Sequence, residues 1–321
     1  MDLQLGRAVG IVLKTMPYIF YRACVYGILG MVIAVLLGVL ALIGWVFGTA
    51  AAVVMLVIAL AAGSFGIRLL REYVLYLLRA GHVAVITEII ERGSLPEGVS
   101  QTQWGQQQVT KYFKEISVLA LIDQLVKGII GMVNRTLLGV MNLLPIPAMQ
   151  GAGKVVQRIV DLSLTYIDES ILAHTFRTQN ENVYDAARSG IILYCQSWKC
   201  LIKNAVALTL LGYLLTFASA LLFLIPLGAI AWFLPQDWAV AKFALFALAL
   251  LMGFSLKWIF FDPIACTATI LTFLKESQGK IPDPKWEAQI ESVSDKFRDL
   301  KDKAAEHWKG TDAPPPTTAE A

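Results

Sequence analysis

The sequence predicts an all-α, polytopic membrane protein that crosses the bilayer in two helical hairpins, which form a parallel internal repeat. First, hydrophobic residues make up 57% of the 321 residues and charged residues only 16%, which is unusual for a soluble domain. Second, the apolar residues are concentrated in two long runs, at about 23–67 and 204–261. Third, similar short motifs follow the two runs. Amphipathic or partly inserted helices are expected to complete the fold.

Residues 1–22 are predicted to form an amphipathic helix in the membrane interface. Its apolar and aromatic residues would face the lipid, while Lys14 and Arg22 would face the head groups. Arg7, Lys14 and Pro17 interrupt the apolar content, which argues against a signal peptide.

The first transmembrane hairpin, with an extended exit helix, is placed at residues 23–92. The run from Ala23 to Ile67 contains no Asp, Glu, Lys or Arg. Because a helix needs roughly 20 apolar residues to cross the bilayer core, this run is long enough for two passes. The turn is predicted at Trp45–Thr49, and Gly93-Ser-Leu-Pro96 is expected to end the exit helix.

The central region, residues 93–182, is predicted to be cytoplasmic or interfacial. An amphipathic helix at about 104–116 leads into the apolar stretch 117–144, which carries Asp123, Lys127 and Arg135. Each charge at mid-bilayer costs several kcal/mol, so a simple lipid-exposed span is disfavoured. We expect a helix that is interfacial or partly inserted.

A second central helix is predicted at about 154–176, after a reversal at Pro145-Ile-Pro147. Val156, Val160 and Leu164 continue an apolar stripe on one side of it. Arg158, Asp161 and Asp168 belong to the polar stripe on the other side. The two central helices would form a hairpin lying against the membrane.

The second transmembrane hairpin, with the helices that lead into and out of it, is placed at residues 183–276. Its spans are predicted at about 204–232 and 239–261, and Pro226 should kink the first of them. The second span should continue past Asp262 and Pro263 to about Glu276.

The remaining segment is predicted to form a cytoplasmic amphipathic helix within residues 277–309, followed by a disordered tail at 310–321. Apolar residues recur every three or four positions along 285–308. They are Trp286, Ile290, Val293, Phe297, Leu300 and Ala304. This seam could form a short coiled coil or pack on the protein's own cytoplasmic surface.

The internal repeat rests on short matches that occur in the same order around both hairpins. The matching pairs are Gly10-Ile-Val-Leu13 with Gly190-Ile-Ile-Leu193, Gly93-Ser-Leu-Pro96 with Gly279-Lys-Ile-Pro282, Trp104 with Trp286, and Val109–Ile116 with Val293–Leu300. Because both hairpins begin and end on the same side, the repeat is parallel, with a pseudo-twofold axis along the membrane normal.

The distribution of basic residues predicts the orientation. Lysine and arginine flank both hairpins at their beginnings and ends, whereas the first turn is uncharged and the second carries Asp237. By the positive-inside rule, both termini and the central region lie in the cytoplasm of a bacterial inner membrane.

Composition and motifs exclude several classes of function. The net charge of +3 is too small to suggest nucleic acid as a partner. The four cysteines form no CxxC pair, and the three histidines lack metal-ligand spacing. We therefore expect no catalytic residue, no metal and no cofactor.

Ionisable residues at or inside the bilayer boundary are the candidate pore or intramembrane polar site. They are Asp262, Asp123, Lys127, Arg135, Glu72, Lys257 and Asp168. Such residues often line ion pathways, but they also snorkel to head groups or form structural ion pairs. Lys257 suits snorkelling. Asp262 precedes Pro263 in a helix that continues, so it could line a polar cavity. Asp168 could line a vestibule or belong to a solvated face.

Four short motifs lie within residues 60–275, namely Gln196-Ser-Trp-Lys199, Pro145-Ile-Pro147, Tyr166-Ile-Asp168 and Ala265-Cys-Thr-Ala268. In these motifs the chain resembles the CysZ-type sulfate-permease family, which is related to etoposide-induced-protein-like membrane proteins. The resemblance implies two true hairpins with partly inserted helices, an oligomer, and passage of a small anion.

Together these observations favour a homo-oligomeric channel or transporter-like protein for a small ion or polar solute. The alternative is a non-transporting scaffold or accessory subunit, which would recruit a cytoplasmic protein through residues 285–308. In both cases the lipid bilayer is the principal environment.

Overall fold

The computed structural model describes residues 3–69, 75–112 and 166–309, and every regular element in these ranges is a helix. The all-α class is therefore confirmed for the described part of the chain. The helices are α1 (Leu5–Lys14), α2 (Met16–Phe47), α3 (Thr49–Leu69), α4 (Leu75–Arg92), α5 (Gln101–Tyr112), α6 (Ile167–Thr178), α7 (Val183–Gln196), α8 (Trp198–Phe233), α9 (Ala239–Leu256), a π-helical turn (Lys257–Phe261), α10 (Asp262–Ser277), α11 (Pro284–Val293) and α12 (Asp295–Lys309).

Three helices among the described residues are long and apolar enough to cross a membrane. They are Met16–Phe47 with 32 residues, Trp198–Phe233 with 36, and the continuous helical segment Ala239–Ser277 with 39. In α3 the described side chains give a shorter apolar stretch, Thr49–Leu60. The chain is therefore a membrane protein.

The predicted amphipathic helix of residues 1–22 is interrupted, which corrects the sequence prediction. α1 ends at Lys14, and Thr15 separates it from α2. The Thr15 hydroxyl donates to the Ile11 and Val12 carbonyl oxygens, at 3.2 and 3.1 Å. Pro17 lies in the first turn of α2, where its missing N–H is tolerated, but in a continuous helix it would break the ladder.

The predicted tail helix at 285–308 is likewise divided. Ser294 has extended backbone angles and separates α11 from α12. Its hydroxyl oxygen accepts from the Phe297 N–H at 3.3 Å, which caps the new helix. Ser294 therefore ends α11 and caps α12.

Glycines with positive φ lie at the predicted turn and stop positions. Gly48 (φ 86°) is the single residue between α2 and α3, within the predicted turn. Gly93 (φ 81°) and Gly279 (φ 71°) follow the ends of α4 and α10, as the Gly-x-x-Pro motifs predicted. Left-handed backbone carries little steric cost for glycine, so these positions terminate helices readily.

α8 continues on both sides of Pro226, where the sequence predicted a kink.

The chain divides into two compact units that are discontinuous in sequence, unlike the consecutive regions predicted above. The first, here the core unit, comprises Met1–Thr15, Ala80–Thr209 and Ile264–Ala321. The second, here the apolar unit, comprises Met16–Arg79 and Leu210–Pro263.

In the core unit, α6, α11 and α12 pack against α7. Its largest fully buried side chains include Tyr194, Phe273 and Phe297. The tail seam contributes Ile290, Phe297, Leu300 and Ala304, which are at most 4% exposed. Of the two alternatives for that seam, the contacts favour packing on the protein itself.

In the apolar unit, α2 packs against α3 and α9. Most of its large apolar side chains remain exposed, among them Phe47 at 74% and Phe217 at 64%. This exposure is expected of helices whose solvent is lipid.

The predicted central hairpin lies mostly outside the described residues. Its beginning is seen as α5, which ends at Tyr112, and its last part as α6, which begins at Ile167. The predicted disordered tail at 310–321 also lies outside the described residues.

Candidate functional site

The predicted polar residues are divided between the two units and the part of the chain that is not described. Lys257 and Asp262 lie in the apolar unit, and Asp168 lies in the core unit. Asp123, Lys127, Arg135 and Glu72 lie outside the described residues.

The π-helical turn Lys257–Phe261 interrupts the longest apolar helical segment. The Asp262 N–H donates to the Lys257 carbonyl oxygen, five residues back instead of four. Pro263 has no N–H, so it cannot form the next α-helical bond. Single π turns inside α-helices are frequent at functional sites, so this turn is a candidate functional site.

The π turn brings the charged groups of Lys257 and Asp262 together. Lys257 Nζ lies 2.8 Å from Asp262 Oδ1, and the two side chains are 26% and 22% exposed. On a regular α-helix, residues five apart point about 140° away from each other, so this pair depends on the wider turn. Of the alternatives for Lys257, the structure supports an ion pair over simple snorkelling.

Aromatic rings of α2 and α9 stack on Trp258 of the π turn. Trp258 stacks on Tyr26 of α2, with ring centroids 5.4 Å apart, and on Phe254 of α9, at 6.0 Å. Stacked rings at these distances contribute about 1 kcal/mol beyond the area they bury.

Phe261, also in the turn, packs against Gly212 of α8. A Cβ atom added at Gly212 would lie 2.5 Å from Phe261 Cε1, so a larger residue there would displace the ring. Contacts from α2, α8 and α9 therefore fix the turn that forms the ion pair.

The sequence did not single out Tyr26, Gly212, Trp258 or Phe261. The only signal was a lone glycine in an apolar helix, which is typical of close helix contacts in membranes. Such glycines are numerous in this chain, so the partner could not be chosen from the sequence.

In the closed pair the charges of Lys257 and Asp262 neutralise each other, which offsets the cost of placing them in an apolar helical segment. Within the described residues, no group of three His, Cys, Asp or Glu side chains could hold a metal ion.

Asp168 has a different environment. It lies in the first turn of α6 with Glu169, and the two residues are only 8% and 1% exposed. Of the two alternatives for Asp168, this burial argues against a solvated face. Carboxylates are stabilised at this end of a helix by its dipole. The pKa of Tyr194 is raised, first by burial and then by Cys195 and Asp168.

His174 is buried near the centre of the core unit. Its Nε2 lies 2.9 Å from Ser189 Oγ, whose hydroxyl donates to the Ala186 carbonyl oxygen. Nε2 therefore carries the proton and donates. Burial, assisted by the charge of Arg177, lowers the pKa of His174 to about 4, so the ring is neutral at physiological pH. Burial raises the pKa of the Cys195 thiol to about 12, which makes it unreactive.

Comparison with known proteins adds no relative. No protein-family model matches the chain, and searches of curated proteins and of solved structures returned no significant match. The resemblance to the CysZ-type family therefore stays a prediction from its short motifs. Of these, Gln196–Lys199 spans the break between α7 and α8, and Ala265–Ala268 lies in α10.

Proposed function

We propose that this chain forms an oligomeric channel or transporter-like protein for a small ion or polar solute, with a small anion as the first solute to test. The observation that carries the proposal is the Lys257–Asp262 ion pair, which lies in a π turn of a helical segment long enough to span a membrane. Residues 123, 127, 135 and 72 stay in the proposal as further polar positions.

The cost of the pair supports a functional role. A charged side chain in a membrane span is expensive, and such groups commonly mark ion or proton pathways. A helix that needed only to cross the bilayer would have a more favourable free energy of insertion without either charge. In this proposal Lys257 contacts the permeating anion when the pair opens, and Asp262 restores neutrality after the anion leaves.

The parallel two-hairpin repeat is part of the proposal, and similar helix breaks in the core unit support it, although they lie two positions apart in the register of the repeat. Thr15 and Ser197 each separate a short helix from a long apolar one. In the first copy, Gln101 Nε2 donates to the Lys14 carbonyl oxygen at 2.7 Å. In the second, Gln196 Nε2 donates to the Ile281 carbonyl oxygen at 3.1 Å. In both copies the segment after the exit helix thus returns to the same helix break.

The membrane topology is proposed from the distribution of basic residues. Basic residues flank both hairpins, so we place the termini in the cytoplasm of a bacterial inner membrane. We include a homo-oligomer because the resemblance to the CysZ-type family implies one.

Flux measurements in proteoliposomes test the proposal. The full chain is reconstituted and assayed for chloride, sulfate and potassium flux, with protein-free liposomes as the blank. Asp262→Asn and Lys257→Gln are each expected to change anion flux by about tenfold, which corresponds to about 1.4 kcal/mol in a barrier. The exchanged pair, Lys257→Asp with Asp262→Lys, should recover part of the wild-type rate.

Lys242→Gln is the matched control, because Lys242 lies in the same helical segment but outside the π turn. It should leave flux unchanged. The proposal fails if the wild-type chain conducts none of the three ions above the blank, or if the π-turn variants match wild type.

The scaffold alternative has its own supporting observation. The tail helices are firmly docked, since Arg188 binds Glu287 through two nitrogens and Asn182 Nδ2 donates to the Ala304 carbonyl oxygen at 2.8 Å. The outer face of α12 is charged and exposed, so a partner recruited through 285–308 would bind there instead of at the buried seam. Scaffolding predicts that deleting 285–321 abolishes cellular function and that the purified protein conducts nothing.

A further inference from the structure

The apolar unit contains a crevice of about 350 Å³ at the end where α2 gives way to the turn at Gly48 and α9 begins. Residues from both helices and from the loop before α9 form its wall. The principal ones are Gly38, Gly44, Trp45, Asp237, Trp238 and Val240. This crevice is distinct from the π turn and has no part in the proposed transport step.

The crevice is closed at one point and open at another. A Cβ atom added at Gly44 would lie 2.7 Å from Val240 Cγ2, so α2 and α9 are in close contact there. A Cβ atom added at Gly38 would meet nothing within 4 Å. Gly38 lies about 9 Å further along α2 than Gly44, so the lining of the crevice extends from the turn into the apolar span.

The two ends of the crevice differ in chemistry. At the turn, Asp237 is exposed beside Trp45 and Trp238, which are 70% and 42% exposed. Along α2 the lining is apolar, with Gly38 and Leu42. Exposed tryptophans at the end of an apolar span are typical of the lipid–water interface. The crevice therefore places a carboxylate at head-group level and an apolar slot at acyl-chain level.

We propose that this crevice binds one phospholipid whose head group carries a primary ammonium, namely phosphatidylethanolamine. The ammonium would donate hydrogen bonds to Asp237 and contact the faces of Trp45 and Trp238, which attract cations. The upper part of one acyl chain would fill the slot along Gly38.

Charge and hydrogen bonding select this lipid among the common ones. Asp237 is exposed where it lines the crevice, so a cation can reach its carboxylate. Phosphatidylcholine carries a cation but no N–H to donate, and phosphatidylglycerol carries no cation. The lipid phosphate would lie near the first turn of α9, which has no side-chain cap.

Lipid binding to the delipidated full chain in detergent tests the proposal, with native mass spectrometry as the readout. Phosphatidylethanolamine, phosphatidylcholine and phosphatidylglycerol are added separately at equal concentration. We expect one phosphatidylethanolamine per chain, bound about tenfold more tightly than the other two, which is about 1.4 kcal/mol. Asp237→Asn should reduce it to the level of phosphatidylcholine.

A second variant tests the apolar slot independently of charge. Gly38→Phe should fill the slot and weaken binding of all three lipids. Gly30→Phe is the matched control, because Gly30 lies in the same helix, also has open space around it, and does not line the crevice. It should bind phosphatidylethanolamine like wild type.

Three outcomes overturn the proposal. The first is equal binding of the three lipids, and the second is an Asp237→Asn chain that keeps the preference. The third is a dimer that retains no lipid and that Gly38→Phe converts to a monomer, since a second copy would then occupy the crevice. Each outcome is independent of whether the protein conducts ions.

Discussion

The core unit and the apolar unit differ in which side chains they bury. In the core unit, Tyr194, Phe273 and Phe297 are less than 2% exposed. In the apolar unit, rings of the same kind point outward, such as Phe217 at 64% and Trp232 at 85%. Several close contacts between its helices are made at a glycine, with Gly253 against Ala220 and Gly44 against Val240.

Hydrogen bonding follows the same division. The core unit uses long polar side chains to join separate helices, as when Arg177 donates to the Leu274 carbonyl oxygen at 3.0 Å. In the apolar unit, Thr216 and Ser255 donate to carbonyl oxygens of their own helices. Ser219 reaches across to the Gly253 carbonyl oxygen, at 3.0 Å, where the backbones are closest.

The difference corresponds to two ways in which helices pack. In water, burying large apolar side chains drives folding, so large rings belong inside. In lipid, apolar side chains gain little from leaving the solvent, and helices associate through close backbone contact and hydrogen bonds. Removing a large ring should therefore destabilise the core unit more than the apolar unit. The apolar unit should instead be sensitive to a methyl group added where its helices are in close contact.

The largest expected effect is the loss of a ring from the core unit. Phe297→Ala should destabilise it by about 3–5 kcal/mol, because Phe297 is 0% exposed and its removal leaves a cavity. Phe217→Ala, the same change at a 64% exposed position of the apolar unit, should cost less than about 1 kcal/mol. Hydrogen exchange of α7 and α12 peptides measures the first, and thermal unfolding in detergent the second. Equal effects would contradict the division between the units.

The next effect is the addition of a methyl group to the apolar unit. Gly253→Ala should destabilise it by about 1–3 kcal/mol, since the new Cβ would lie 2.7 Å from the Ala220 Cα atom and backbone atoms cannot move aside. Gly228→Ala has open space and should be neutral or slightly stabilising, because alanine favours helix. Unfolding by SDS titration compares the two variants. A neutral Gly253→Ala would show that the close contact does not hold these helices.

A smaller effect is expected from the ion pair that docks the tail helices. A double-mutant cycle with Arg188→Met and Glu287→Gln should give a coupling energy of about 2 kcal/mol, because the two side chains are only 27% and 15% exposed and form several hydrogen bonds. The exposed pair Arg298 and Asp295 should give less than about 1 kcal/mol in the same cycle. The rate of proteolysis at the start of α11 reports both. Equal couplings would mean that burial of the pair is unimportant.

The smallest expected effect is a dependence of core-unit stability on pH. The pKa of His174 is about 4 in the folded chain and near 6.5 when unfolded, so between these values the unfolded state binds a proton that the folded state lacks. The His174 contribution is complete above pH 6.5 and declines as the pH falls towards 4. At pH 5.5 the core unit should be about 1 kcal/mol less stable than at pH 7.5.

Hydrogen exchange of α6 and α7 peptides at the two pH values, corrected for intrinsic rates, measures this change. His174→Gln should reduce the pH dependence, whereas His307→Gln, at an exposed position, should not alter it. An unchanged pH dependence in His174→Gln would assign the effect to other groups.

Local and compositional features were readable from the sequence. The apolar runs predicted the membrane class, because their length is set by the thickness of the bilayer and not by any partner in the fold. Gly48, Gly93 and Gly279 marked helix ends, because left-handed backbone favours glycine wherever it occurs. These predictions needed only neighbouring residues along the chain.

Other features depended on contacts that no local pattern contains. The tail seam allowed two interpretations, and only the position of α7 decided that Phe297 packs inside the chain. Lys257 and Asp262 were individual candidates, and their spacing argued against a pair on a regular helix. The π turn that joins them is held by Tyr26 and Gly212, from distant parts of the sequence. Composition therefore determined which helices are long and apolar enough to span a membrane. Tertiary packing decided which charged groups meet, because ion-pair geometry depends on side chains brought together only by the fold.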